Sequence, residues 1–154
     1  MMKKYFKGLS IVMTSIWMGG MWAVGYIVAP VLFQSLQDKV LAGMLAGKLF
    51  AAMAYVGIVC ATYLMLYLIK THGKAVMKQQ LFFITLVMLL LILLGQYGLQ
   101  PILAEIKIQA LPQYVMDSVY ADRFKFWHGA ASILYLVQSL LGVGLLLRVY
   151  RDNL

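Results

Sequence analysis

WMGGMWAVGYIVAPVLFQ, residues 17–34, carries no charged side chain, yet Gly19, Gly20 and Gly25 sit inside it and Pro30 interrupts it. The uncharged run extends back to Gly8. A helix needs about 20 mostly apolar residues to cross a hydrocarbon core, so block 8–34 reads as a membrane span. Glycine and proline are poor helix formers. Their presence here asks for a role beyond crossing.

Three further blocks have the same character, at 49–69, 80–103 and 126–147, separated by connections at 35–48, 70–79 and 104–125. None of the four blocks contains Asp, Glu, Lys or Arg. The chain is 64% hydrophobic with a mean hydropathy of +0.87, well above the roughly 45–50% apolar content of soluble domains. The expected fold is therefore an all-α integral membrane four-helix bundle, with residues 1–154 forming a single membrane domain.

The net charge of +8 does not point to nucleic acid, because the cations lie between apolar blocks rather than on one polar face. Lys3, Lys4, Lys7, Lys70, Lys74, Lys78, Arg148 and Arg151 fall on one side of the alternating spans. Lys39, Lys48, Lys107, Arg123 and Lys125 fall on the other. The richer side faces the cytoplasm by the positive-inside rule, so both termini are expected inside. The apolar run after Lys7 is far longer than the h-region of a signal peptide, about 7–15 residues, and reads as an uncleaved first span. Cys60 is the single cysteine, which excludes an internal disulfide.

An internal echo links spans 1 and 3: Tyr26-xxx-Pro30-x-Leu32 and Tyr97-xxx-Pro101-x-Leu103. It fits two related helical hairpins, and equally a chance match in apolar sequence. Proline has no N–H and collides with the carbonyl four residues earlier. Pro30 and Pro101 are thus expected to free the carbonyls of Tyr26 and Tyr97, about 15 Å outward of the span centres. The glycines are expected at helix contacts, where small residues allow backbones to approach. In connection 104–125, Val115 with Val119 and Met116 with Tyr120 recur at i,i+4. Either a short interfacial helix or an ordered loop over the bundle satisfies that pattern.

Trp22, Tyr26, Pro30 and Gln34 recur every four residues. Gln96 and Gln100 repeat the spacing on span 3. Lys48 opens span 2 and His128 opens span 4 at the same outer level. A polar group facing lipid is expensive, so these residues read either as a polar vestibule at the outer mouth or as an interfacial belt. The candidate ligand-binding residues are Trp17, Gly20, Tyr26, Pro30, Lys48, Gln96, Gln100 and His128. His128, the only histidine within a block, is also the candidate metal ligand. Eleven methionines raise soft-metal chemistry, but no MxxxM pair marks a site, and adaptable packing accounts for them. Paired carboxylates, a glycine-rich phosphate loop and a CxxC motif are all missing, which speaks against an enzyme.

The segments WMGG at 17–20, APVLF at 29–33, AGMLAGKLF at 42–50 and FWHG at 126–129 resemble the transmembrane protein 205-like family, a four-helix membrane domain of unknown function. The resemblance covers most of the chain. Ala130 and Ala131 precede Ser132 where that family tends to place serine soon after the HG pair. Span 1 also resembles, distantly, membrane protoporphyrinogen oxidase and copper resistance protein D. The oxidase uses a histidine in its first span, and this sequence has none between Met1 and Gln34. The resemblance therefore leaves open a His–Met or five-coordinate haem on His128, with bis-His ligation excluded.

Three functions follow as expectations. The first is a small non-enzymatic membrane protein that binds or passes a ligand at its outer end. The second is a haem- or copper-linked redox or resistance protein. The third is a structural subunit or assembly factor. The expected surroundings are the lipid bilayer of a bacterial inner membrane, with a homo-oligomer or a membrane-complex partner. Single cysteines replacing Lys74 and Gln113 in a Cys60→Ala background test the orientation. A membrane-impermeant maleimide should label position 113 in intact cells and position 74 only after lysis; the opposite pattern would invert the topology.

Overall fold

The computed structural model describes residues 2–151, with side chains from residue 8 onward. Span 1 is built from α1 (Met2–Ala23), a π-helical turn (Val24–Val28) and α2 (Ala29–Ser35). Span 2 is the single helix α3 (Lys39–His72), followed by a 3₁₀ turn (Gly73–Lys78). Span 3 is α4 (Gln80–Leu93), a second π-helical turn (Leu94–Leu99) and α5 (Gln100–Ala110). Span 4 is α6 (Ala121–Arg151). No strand occurs among the described residues.

Each span packs on the next, and span 4 closes against span 1. This is an up-down-up-down bundle, with the start of α1 and the end of α6 at one end and the connections 36–38 and 111–120 at the other. The outside is as apolar as the inside: Ile16, Ile27, Val59, Leu66, Ile133 and Leu147 are all exposed. A water-soluble monomer rarely shows so continuous an apolar surface. Among the described residues, four helices are long and apolar enough to cross a membrane, as the fold class requires.

The helices outrun the apolar blocks. α3 begins at Lys39 rather than near 49, α5 continues to Ala110, and α6 begins at Ala121. Hydropathy marks only the part of a helix that must be in hydrocarbon, whereas local capping decides where it starts. Asp38 caps α3 by accepting from the N–H groups of Val40 (2.9 Å) and Leu41 (3.0 Å). Lys39 closes the preceding helix end, donating to the carbonyls of Phe33 (2.5 Å) and Leu36 (2.9 Å). Two neighbouring residues thus satisfy both ends of the first hairpin.

The 111–120 connection is an ordered loop with one 3₁₀ turn, Val115–Asp117. The i,i+4 pairs do not form a helix face, since Val115 is buried and Val119 is 93% exposed. Val115 instead joins Leu103, Ile106, Ala110 and Phe124 in a small second core. Tyr114 and Tyr120 pack against it.

The main core runs along the bundle axis through Trp17, Met18, Met21, Cys60, Leu64, Met88, Ile92 and Leu145. Two buried threonines are satisfied within their own helices: Thr14 donates to Ser10 O and Thr85 to Leu81 O, each at 2.8 Å. Selected glycines permit the close packing. A Cβ at Gly57 would lie 2.7 Å from Trp17 Nε1 and from Ile92 Cδ1, and one at Gly20 would lie 2.6 Å from Met53 Cε. A Cβ at Gly25 would run into the Tyr135 ring, 2.8 Å from Cζ. Gly19 and Gly144 have open space instead, so only one member of each of the pairs Gly19/Gly20 and Gly142/Gly144 is a contact point. Gly25→Ala should destabilise the purified protein by about 1–3 kcal/mol through overpacking. Gly19→Ala should stay within about 0.5 kcal/mol of the parent. Thermal unfolding in detergent compares them, and equal effects would contradict the Gly25–Tyr135 packing.

Candidate functional site

The two prolines produce the same backbone device in spans 1 and 3. In span 1 the Ala29 N–H bonds to Val24 O, five residues back, and Pro30 follows directly. In span 3 the Gln100 N–H bonds to Gly95 O, and Pro101 follows. A π-helical turn widens the coil just where the proline ring would strike the preceding carbonyl. The Tyr-xxx-Pro echo is therefore an echo in conformation as well as in letters.

Around the first π turn a hydroxyl network joins spans 1 and 4. Tyr135 donates to the Met21 carbonyl, and its ring lies over Gly25, where a Cβ would collide with it. Tyr26 donates to Ser139 Oγ at 2.9 Å. The rings of Tyr26 and Tyr135 meet edge-on at 6.1 Å, and Phe50 of span 2 meets Tyr135 at 5.3 Å. The sequence pattern draws attention to the carbonyl released by Pro30 near the outer mouth. The structure puts the cross-span polar contact at the Met21 carbonyl, about one and a half helical turns further inward.

A second cluster lies at the loop end. Lys107 of α5 is half-buried and donates to Gly43 O of α3 at 3.3 Å. Its ammonium also stands 5.8 Å from the centre of the Phe124 ring on α6. Phe124 stacks on His128 at 5.3 Å with only 11° between the planes. His128 lies within electrostatic range of Lys107. Lys107 therefore ties three spans together. Its identity as an anchor is invisible in the sequence, where it is one more outer cation.

The other candidates are spread out. Trp17 is a core residue at 1% exposure, and Gly20 packs on Met53. Pro30 and Lys48 are exposed, and Gln96 and Gln100 are half-buried. Tyr26 is engaged with Ser139. Of the eight candidates, only Tyr26 and His128 join a cross-span polar or aromatic cluster. Ser132 turns back on its own helix, donating to His128 O at 2.8 Å.

Residues 12–112 match the family described as Domain of unknown function (DUF4149). The chain belongs to this family. The DUF4149 match takes in both π turns, Gly25 and Lys107, and ends before α6. The partners Phe124, His128, Tyr135 and Ser139 all lie beyond it, so both clusters join the DUF4149 segment to span 4. No curated protein and no solved structure matches the chain.

In the loop of this DUF4149 protein, burial first and the Asp117 carboxylate second hold the Tyr114 phenol above the usual tyrosine range. The stability this contributes is complete below the ordinary tyrosine value of about 10 and fades as pH rises above it. Tyr135→Phe removes the hydroxyl from Met21 O and should cost about 0.5–2 kcal/mol, the range measured for hydrogen bonds between membrane helices. Tyr97→Phe, on an exposed ring, should be neutral by the same thermal assay. Identical losses would deny the Tyr135 contact its role.

Proposed function

We propose that this chain is a single-domain, non-enzymatic integral membrane protein that holds a small anionic ligand at its loop end, against Lys107 and His128. The observation that supports this reading is the state of Lys107. Its ammonium is half-buried and anchored on a carbonyl and a ring, and no carboxylate reaches it among the described residues. A desolvated cation without an anion is costly and attracts one. Lys48 and Gln100 would contribute at the rim, with Tyr26, Pro30 and Gln96 shaping spans 1 and 3 behind it. Trp17 and Gly20 would act through packing. We assign no catalytic residue.

The donor set does not fit haem or copper. The cavity lined by His72 and Arg148 and the one lined by Arg148 and Arg151 both open at the end of the bundle opposite His128. No group of three or more His, Cys, Asp or Glu able to hold a metal ion occurs among the described residues. A transmembrane protein 205-like relationship and residence in a bacterial inner membrane accord with this reading, as does assembly into a homo-oligomer.

The test titrates the detergent-purified chain with succinate and citrate while following thermal unfolding. A saturable rise in Tm is expected for the parent and for His72→Gln. Lys107→Gln, which can still donate to Gly43 O, should lose it. No shift with either carboxylate, or a shift that survives Lys107→Gln, would refute the loop-end site.

A further inference from the structure

The opposite end of the bundle holds a cleft of about 340 Å³. Its polar lining comes from Ser10, Tyr67, Thr71, His72, Gln79 and Arg148. A second cavity of about 240 Å³, lined by Gly144, Leu147, Arg148 and Arg151, adjoins it. Arg148 is common to both. The cleft is large enough for a small polar head, and pockets of this size commonly bind ligands.

Arg148 donates to Gln80 Oε1, which is neutral, so its charge is not cancelled there. No ion pair to Arg148 occurs among the described residues, where the single salt bridge is Lys125–Asp122 at the other end. A guanidinium has five N–H donors in a planar fork, and one partner leaves most of them for an anion. The surrounding charge has the same sign: Lys70 is exposed at the end of α3, and Lys74 and Lys78 are exposed on the 3₁₀ turn that follows. Every acid among the described residues, Asp38, Glu105, Asp117 and Asp122, lies at the loop end. The sequence's fifth acid, Asp152, lies outside the described residues.

The second cavity indicates what kind of anion. It opens on the outer surface of α6, where Leu140, Val143 and Leu147 are exposed at helical spacing leading up to Arg151. Gly144 leaves open space beside that stripe. A cationic cleft directly above an apolar groove complements a molecule with a phosphate head and an acyl tail. We propose that the Arg148 cleft binds the phosphate headgroup of an anionic phospholipid, with one acyl chain laid along Gly144 and Leu147 of α6. Basic pockets between spans at the cytoplasmic side of a membrane recognise lipid heads by this chemistry.

The full chain, purified in detergent, is titrated with dioctanoyl phosphatidylglycerol, dioctanoyl phosphatidylcholine and sodium phosphate, and Tm is read. Phosphatidylglycerol should give a saturable rise that the other two do not. Arg148→Gln should weaken that response about tenfold, the loss expected for one charge-assisted contact. Lys125→Gln, at the loop end, should respond as the parent does. If Arg148→Gln does not fold, Arg148→Lys replaces it, keeping the charge but losing the two-pronged geometry, with a weakened response again expected. Equal stabilisation by phosphatidylcholine would overturn the proposal, as would an undiminished response in the folded Arg148 variant. A full response to phosphate alone would make the cleft a site for a soluble anion and would equally overturn the lipid assignment.

Discussion

A backbone polar group in hydrocarbon has no water to fall back on, and this constraint organises the structure. Spans 1 and 3 each carry a proline that cannot donate. In an unmodified α-helix each would also collide with a carbonyl. Both spans respond with a π turn immediately before the proline, so that the hydrogen bond preceding it runs five residues back. In span 1 the contact continues inward at Tyr135, whose hydroxyl donates to Met21 O with its ring against Gly25. That hydroxyl can reach the backbone only because residue 25 has no side chain. Pro30, the π turn, Gly25 and Tyr135 therefore act as one unit, and the contact between spans 1 and 4 depends on it.

The bundle that results is solid at mid-height and differentiated at its ends. Trp17, Met18, Met88 and Leu145 are essentially inaccessible, each packed into the core between the spans. Charged side chains lie only at the two ends, outside the apolar blocks, and the ends differ. At the loop end a lysine is immobilised by a carbonyl and an aromatic ring among scattered acids. At the end bearing the termini an arginine stands between two cavities in a surround of lysines. Both are cations without a carboxylate partner among the described residues, in places that are partly shielded from solvent. The first is bounded by rings and polar groups, the second by an apolar groove, and this difference separates the ligands that each would suit.

The four crossings, the all-α class and the pairing of both termini at one end were legible in the sequence, because each depends on composition over some 20 residues and on where lysines interrupt it. Pro30 and Pro101 were legible as points of backbone trouble, since the missing N–H is a property of the residue itself. Helix ends were less so: α3 starts ten residues before its apolar block because Asp38 and Lys39 satisfy the free backbone groups there, a local matter to which hydropathy is blind.

Tertiary structure alone decided which residues meet. Of Gly19 and Gly20, identical in the sequence, only the second faces another helix, because rotation of span 1 about its axis is set by packing against Met53 and Tyr135. Trp17 and Lys48 were both candidate ligand-binding residues, and they face the core and the exterior respectively. Lys107 and Gly43 are 64 positions apart, and Tyr135 and Met21 are 114 apart. No periodicity on one helix encodes such a pair, since it exists only where two helical faces, each with its own rotation and depth, are brought into register.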